Sequence, residues 1–294
     1  GKLELSLKYQ LQCLEIRRQD SSISRPRDSN LLDLSTTLGN IANIYLTSGI
    51  LDKGLDYCYA SLRITEKIKD TLGLGFVYNS IAHIYSSLGQ TNKSLEYYHK
   101  SLKYLLMAGE KKFLPSALNG LASQYSHIKK YDSALHYYNL ESFIAKEIGQ
   151  TYVLIFTLAN ISQIYIETGQ YDSAKSKLDE ANRLAKKSSY LNGLSQVLLT
   201  YGYLYFFKKE YNTALDYAEK GLKVANEINL KKNQMDLSQL ISEIYEKLNQ
   251  PEKAYKYLKD YTQLKDSLYS EETNNKMAEM EVRIATTRIE AEKE

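Results

Sequence analysis

The chain has 294 residues, 43% hydrophobic and 25% charged, which is ordinary for a folded soluble protein. Its 38 basic and 35 acidic residues leave a net charge of +3 with no block of one sign, so a surface that tracks phosphates has no support and no nucleic-acid partner is expected. No stretch reaches the roughly 18 apolar residues that span a bilayer.

Residues 1–20 read as the second helix of a truncated repeat, because Ser6-Leu7-Lys8-Tyr9 aligns with Gly54-Leu55-Asp56-Tyr57 further on. The offset is 48, which places extra residues in a polar loop over residues 21–30 that holds Pro26. The first helix of that repeat is missing. No signal peptide is visible, the chain opens on Gly1 without an initiator Met, and it starts and stops inside helical patterns. It therefore reads as a segment whose flanks have been removed. Cys13 and Cys58 form no metal or redox motif and read as small residues packed between helices, with a bridge open only if their helices are neighbours.

Residues 31–262 divide into six repeats of 40 residues. Tyrosine returns at Tyr45, Tyr85, Tyr125, Tyr165, Tyr205 and Tyr245. Three residues before each stands a small residue (Ala42, Ala82, Ala122, Ser162, Gly202, Ser242), and nine after it stands another (Gly54, Ser94, Ala134, Ala174, Ala214, Ala254). Small residues let two helix backbones approach, and the tyrosines fill the space between them. A second ladder, Tyr57, Tyr97, Tyr137, Tyr217 and Tyr257, lapses to Lys177 in the fourth repeat.

Punctuation follows the same period. Gly49, Gly89 and Gly169 fall where a left-handed C-terminal cap is expected, with Lys129, Lys209 and Asn249 predicting weaker caps in the other repeats. Asp52, Asn92, Asp132, Asp172 and Asn212 suit the start of the second helix, while Gly109, Gly149 and Asn229 close second helices. Pro115 and Pro251 land at helix starts.

This pattern, with Leu38, Tyr78, Leu118, Leu158, Leu198 and Ser238 at its first position, resembles the tetratricopeptide (TPR) repeat. The resemblance implies an all-α fold, a right-handed α-α superhelix of helical hairpins with an extended C-terminal helix. A 40-residue period overlaps HEAT repeats, which would not supply the small-x₂-Tyr ladder. In TPR proteins the first helix of each repeat lines a concave groove. The implied groove residues are Asn40, Asn43, Asn79, His83, Asn119, Ser123, Asn160, Gln163 and Tyr203. Their side chains donate and accept hydrogen bonds without net charge, as an extended peptide requires. Tyr203, Phe206 and Phe207 could add an apolar pocket. A carboxylate clamp of the chaperone-tail type is disfavoured, since Gly39 stands where its lysine would be and Ser80 replaces the next asparagine.

Residues 263–294 read as one charged helix, with Met277, Met280, Ile284, Thr287 and Ala291 at 3-4-3-4 spacing as a short coiled-coil seam, hence an expected homodimer contact. The run from Lys265 to Glu294 also resembles the juxtamembrane helix of bacterial sensors in which extracytoplasmic TPRs precede a membrane span and a histidine-kinase or helix-turn-helix output. That resemblance implies the periplasmic side of an inner membrane, with the membrane reached only through a flanking span. The alternatives are a cytoplasmic peptide-responsive regulator of the Rap type and a passive scaffold.

No chemistry emerges. His83, His99, His127 and His136 have no metal-ligand spacing, and Gly73-Leu74-Gly75 lacks the third glycine and preceding strand of a dinucleotide loop. No phosphate loop or nucleophile elbow occurs. No catalytic residue, metal or cofactor is expected, and the partner is a peptide or protein.

Overall fold

The computed structural model describes the backbone of residues 2–21 and 28–268, and the side chains of residues 5–17 and 29–268. The helix expected over residues 263–294 is described only to residue 268, so its coiled-coil seam lies outside the described residues.

The described chain is all helix and junction, without a strand. In order come α1 (Lys2–Ser21), α2 (Asp28–Thr47), α3 (Leu51–Lys67), α4 (Thr71–Ser87) and α5 (Thr91–Ala108). A 3₁₀ turn (Lys111–Phe113) leads into α6 (Leu114–His127). Then follow α7 (Tyr131–Glu147), α8 (Thr151–Glu167), α9 (Tyr171–Lys187), α10 (Leu191–Phe207), α11 (Tyr211–Glu227), α12 (Lys231–Lys247), and α13 over residues 251–268. Helix α1 reaches Ser21 and α2 begins at Asp28, so both ends of the loop expected over residues 21–30 are helical.

From α3 onward the junctions share one design, except that Gly109 and Glu110 alone lead from α5 into the 3₁₀ turn. Elsewhere three residues separate successive helices, and positive φ falls on the middle one and on Gly109: Gly49, Lys69, Gly89, Gly109, Lys129, Gly149, Gly169, Ser189, Lys209, Asn229 and Asn249. The sequence repeats every 40 residues, but this backbone feature repeats every 20. At Gly49 the amide donates to the Leu46 carbonyl (3.1 Å) and the next amide, of Ile50, donates to that of Tyr45 (2.9 Å), which is Schellman closure. Lys209 and Glu210 close the same way onto Phe206 (2.9 Å) and Tyr205 (2.9 Å). The caps without glycine are thus fully bonded, but the lysine backbone occupies a region that L-residues enter at a cost.

The start signals sit elsewhere than expected. The N-cap residues of α3, α5, α7, α9 and α11 are Ile50, Gln90, Lys130, Gln170 and Glu210, none with a side-chain cap bond. Asp52, Asn92, Asp132, Asp172 and Asn212 fall two residues inside, where the three carboxylates meet the positive end of the helix dipole instead of capping it. A side-chain cap does occur at Asp70, whose Oδ1 accepts from the Gly73 amide (3.0 Å).

The described residues divide into two compact units, and the division falls between Gln124 and Tyr125, inside α6. In the first unit, Leu7 and Leu14 of α1 pack with Leu34, Leu38, Ile41 and Tyr45 of α2. The 3-1-3 spacing of Leu38, Ile41, Ala42 and Tyr45 puts all four on one helical stripe, and all four are buried. Cys58 of α3 packs with Val77, Ile81, Ile84 and Tyr85 of α4. In the second unit a single core runs from Ala145 to Ala254.

Small positions face small positions, as their period predicts. Ser94 Oγ reaches the Ala82 carbonyl (3.0 Å), and Ser242 Oγ the Ala254 carbonyl (2.8 Å). The first tyrosine ladder divides: Tyr45, Tyr85, Tyr205 and Tyr245 are buried, whereas Tyr125 and Tyr165 are half-buried. Rings of the two ladders stack within hairpins, Tyr125 on Tyr137 at 5.6 Å and Tyr205 on Tyr217 at 5.3 Å. Cys13 is exposed, Cys58 is buried, and both are free thiols.

Candidate groove of the first unit

First helices of successive repeats pack against each other, α2 against α4 in the first unit and α8 against α10 and α10 against α12 in the second. Between α2 and α4 a cavity of about 840 Å³ opens, floored by α3. Four of the nine expected groove residues line it: Asn40, Asn43, Asn79 and His83. Asn40, Asn43 and His83 are exposed and Asn79 is half-buried. Positions 36, 39, 40 and 43 of α2 and 76, 79, 80 and 83 of α4 supply matching ridges, since 40 residues return each helix to the same register. The floor is Cys58, Ser61 and Thr65. The two hydroxyls are tied to main chain, Ser61 to the Ser35 carbonyl (2.8 Å) and Thr65 to that of Ser61 (2.7 Å).

Not every amide points to a ligand. Ser80 Oγ donates to Asn43 Oδ1 (3.0 Å), and Asn79 Nδ2 donates to Ser116 Oγ (3.0 Å), so these side chains stitch α2 to α4 and α4 to α6. Asn79 Oδ1 is buried without a partner. Ser116 was not anticipated, because its role depends on how α6 packs on α4.

His83 packs edge-on against Tyr98 (5.5 Å, 78°). Its imidazole is held below its usual pKa by the protein packed around it, although the residue keeps an exposed surface in the groove. Burial pushes the Cys58 thiol up to about 12. Asn119 (half-buried) and Ser123 (exposed), both on α6, do not line this cavity.

In the second unit Asn160 and Gln163 of α8 are half-buried, and Gln163 donates to Glu167 one turn on (3.2 Å). Tyr203 and Phe206 pack against the core, and Phe206 meets Phe207 edge-on at 5.9 Å. Burial first, then the carboxylates of Asp236 and Glu243, push the Tyr203 phenol up to about 12. Among the described residues no three His, Cys, Asp or Glu side chains come together as a metal site.

Tetratricopeptide-repeat family models match residues 33–106, 157–188 and 236–267. The chain carries tetratricopeptide repeats. Among curated proteins none matches the sequence. Solved structures share the TPR fold at low identity. BtubC (BKLC) from P. vanneervenii is 17% identical, with 78% of this chain and 93% of that one aligned at a TM-score of 0.67. A Rap protein complexed with competence and sporulation factor is 14% identical, with 91% and 88% aligned at 0.58. NprR in complex with its cognate peptide NprX is 17% identical, with 94% and 81% aligned at 0.58.

Proposed function

We propose that this TPR chain is a binding module that takes a peptide or protein segment in the first-helix groove. The observation that carries the reading is the cavity between α2 and α4, large enough for several side chains and lined by Asn40, Asn43 and His83. Two proteins of similar fold, Rap and NprR, are known in complex with competence and sporulation factor and with a cognate peptide, which supports a peptide ligand here. Panning a random-peptide phage library on the whole chain, then calorimetric titration of the selected sequence, tests it. Asn40→Ala or His83→Ala should cost roughly 1–3 kcal/mol of binding, the usual loss for an unpartnered polar group, with helix content unchanged. A selection without a saturable binder, or binding indifferent to both substitutions, sinks the reading.

The setting we favour is the sensor region of a bacterial transmembrane signalling protein, resting on the resemblance of residues 265–294 to a juxtamembrane helix. No helix among the described residues is long and apolar enough to cross a membrane, so a span has to come from flanking sequence. The full-length gene decides: an apolar span following Glu294 supports the sensor, and its absence favours a cytosolic Rap-like regulator.

A further inference from the structure

Glycine inside a helix needs a reason, because it costs stability relative to alanine. Most glycines here have one. A Cβ at Gly120 would overlap the Tyr98 ring, one at Gly75 would strike Leu105, and Gly54 lies close to Ile84 and the Ala42 carbonyl. Gly39, in the middle of α2 with ordinary helical backbone, has none: a Cβ there would meet only Ser61 Oγ, at 3.9 Å. The equivalent positions of later repeats hold Asn79, Asn119, Ala159, Leu199 and Gln239. Only the first repeat leaves the place empty, and that place is in the wall of the 840 Å³ cavity.

The walls around it have a consistent chemistry. Leu32 of α2 and Leu72, Phe76 and Val77 of α4 make its apolar part. Among the described residues its formally charged side chains are Asp33 and Asp70, and no lysine or arginine lines it, in a chain whose net charge is +3. The Asp70 carboxylate is partly offset by the α4 N-terminus it caps. Arg17 donates to the Asp33 carbonyl oxygen (2.6 Å) and to the Thr37 hydroxyl, and it is not a wall of the cavity. A cleft with carboxylates and low-dielectric walls favours a cation.

We infer that the first-repeat groove receives an apolar side chain of a peptide directly over Gly39, with a lysine, arginine or free amino terminus beside it facing Asp33 and Asp70. This rests on the peptide-groove reading and gives the ligand its chemistry. An arrayed set of nonapeptides with a central leucine or phenylalanine, flanked by arginine, serine or glutamate, probes it against the whole chain. Arginine-flanked spots should exceed glutamate-flanked ones at least about fivefold, a gap that shrinks with salt and in Asp33→Asn. Gly39→Ala should fold at least as well as the parent. Gly39→Leu and Gly39→Asn, residues that later repeats carry at this position, should abolish array binding while keeping helix content. Two variants of different size guard against one failing to fold. Binding that survives in both, or glutamate-flanked spots matching arginine-flanked ones, overturns the inference and leaves the peptide-groove reading standing. An array blank for every class overturns both.

Discussion

Two glycines on first helices, Gly39 and Gly120, sit at neighbouring repeat positions and have opposite reasons to exist. Tyr98 is 1% exposed, and its ring rests on Gly120, so Gly120→Ala forces a buried aromatic off its seat. Overpacking of this kind costs about 1–3 kcal/mol. Gly39→Ala meets open space and gains about 1 kcal/mol of helix propensity. Chemical denaturation of both variants checks the contrast, and equal effects would mean that Gly39 is packed. The thiols offer a second check. Cys58 is buried and pushed up to about 12, so it carries almost no thiolate at pH 8, while exposed Cys13 does not share that burial. One equivalent of thiol should react with a disulfide reagent in the native state and two after denaturation. Two fast equivalents would show that the cavity floor opens.

At the scale of the element, the sequence reveals what burial demands and hides what the main chain does for itself. Tyr45, Ala42 and Gly54 could be read as a helix–helix seam because each has to be its own size to let α2 meet α3. The helix starts were misplaced by two residues, from Ile50 to Asp52, because Schellman closure binds the junction through main-chain groups and asks little of side chains. Lys69 and Ser189 gave no sign of their positive φ for the same reason. The amides of the groove were visible as a pattern, but the Asn43–Ser80 pair was not, since it exists only when α2 lies against α4. The closure predicts where stability can be added. Lys209→Gly and Ser189→Gly, each relieving a left-handed backbone, should raise unfolding free energy by about 1 kcal/mol apiece. Asn229→Gly should gain less, because asparagine tolerates this region better than lysine or serine. Denaturant midpoints that fall in the first two variants would mean the native side chains do more than fill a turn.

Across the whole molecule the tyrosines couple the fold to alkaline pH. Burial raises Tyr78 and Tyr203 to about 12, and pushes Tyr98 up as well. An unfolded phenol ionises near 10, so below that pH the folded and unfolded chains hold these protons alike and the stabilisation is complete. As pH rises from 10 to 12 the unfolded state sheds protons that the folded state retains, and stability falls. Helix signal and tyrosinate absorbance followed together through this window should change in one step. Smooth ionisation of all 27 tyrosines near pH 10 with helix intact would contradict the burial.

The even spacing of the junctions has a consequence for how such a chain can change length. Gln150 and Tyr190 are both N-cap residues, preceded by left-handed Gly149 and Ser189. Excising residues 151–190 would join Gln150 to Leu191 and recreate a joint the chain already uses. Duplicating the same stretch would do so too. Lengths that are multiples of 40 keep the tyrosine seam in phase, whereas a slip of 20 keeps every joint but exchanges groove-lining helices for their partners. The joints alone do not distinguish these two edits; only the side chains do. A gene of this kind can therefore acquire a misassigned face by an event that leaves its backbone geometry intact, and the paired small residues of each hairpin are what would reject it.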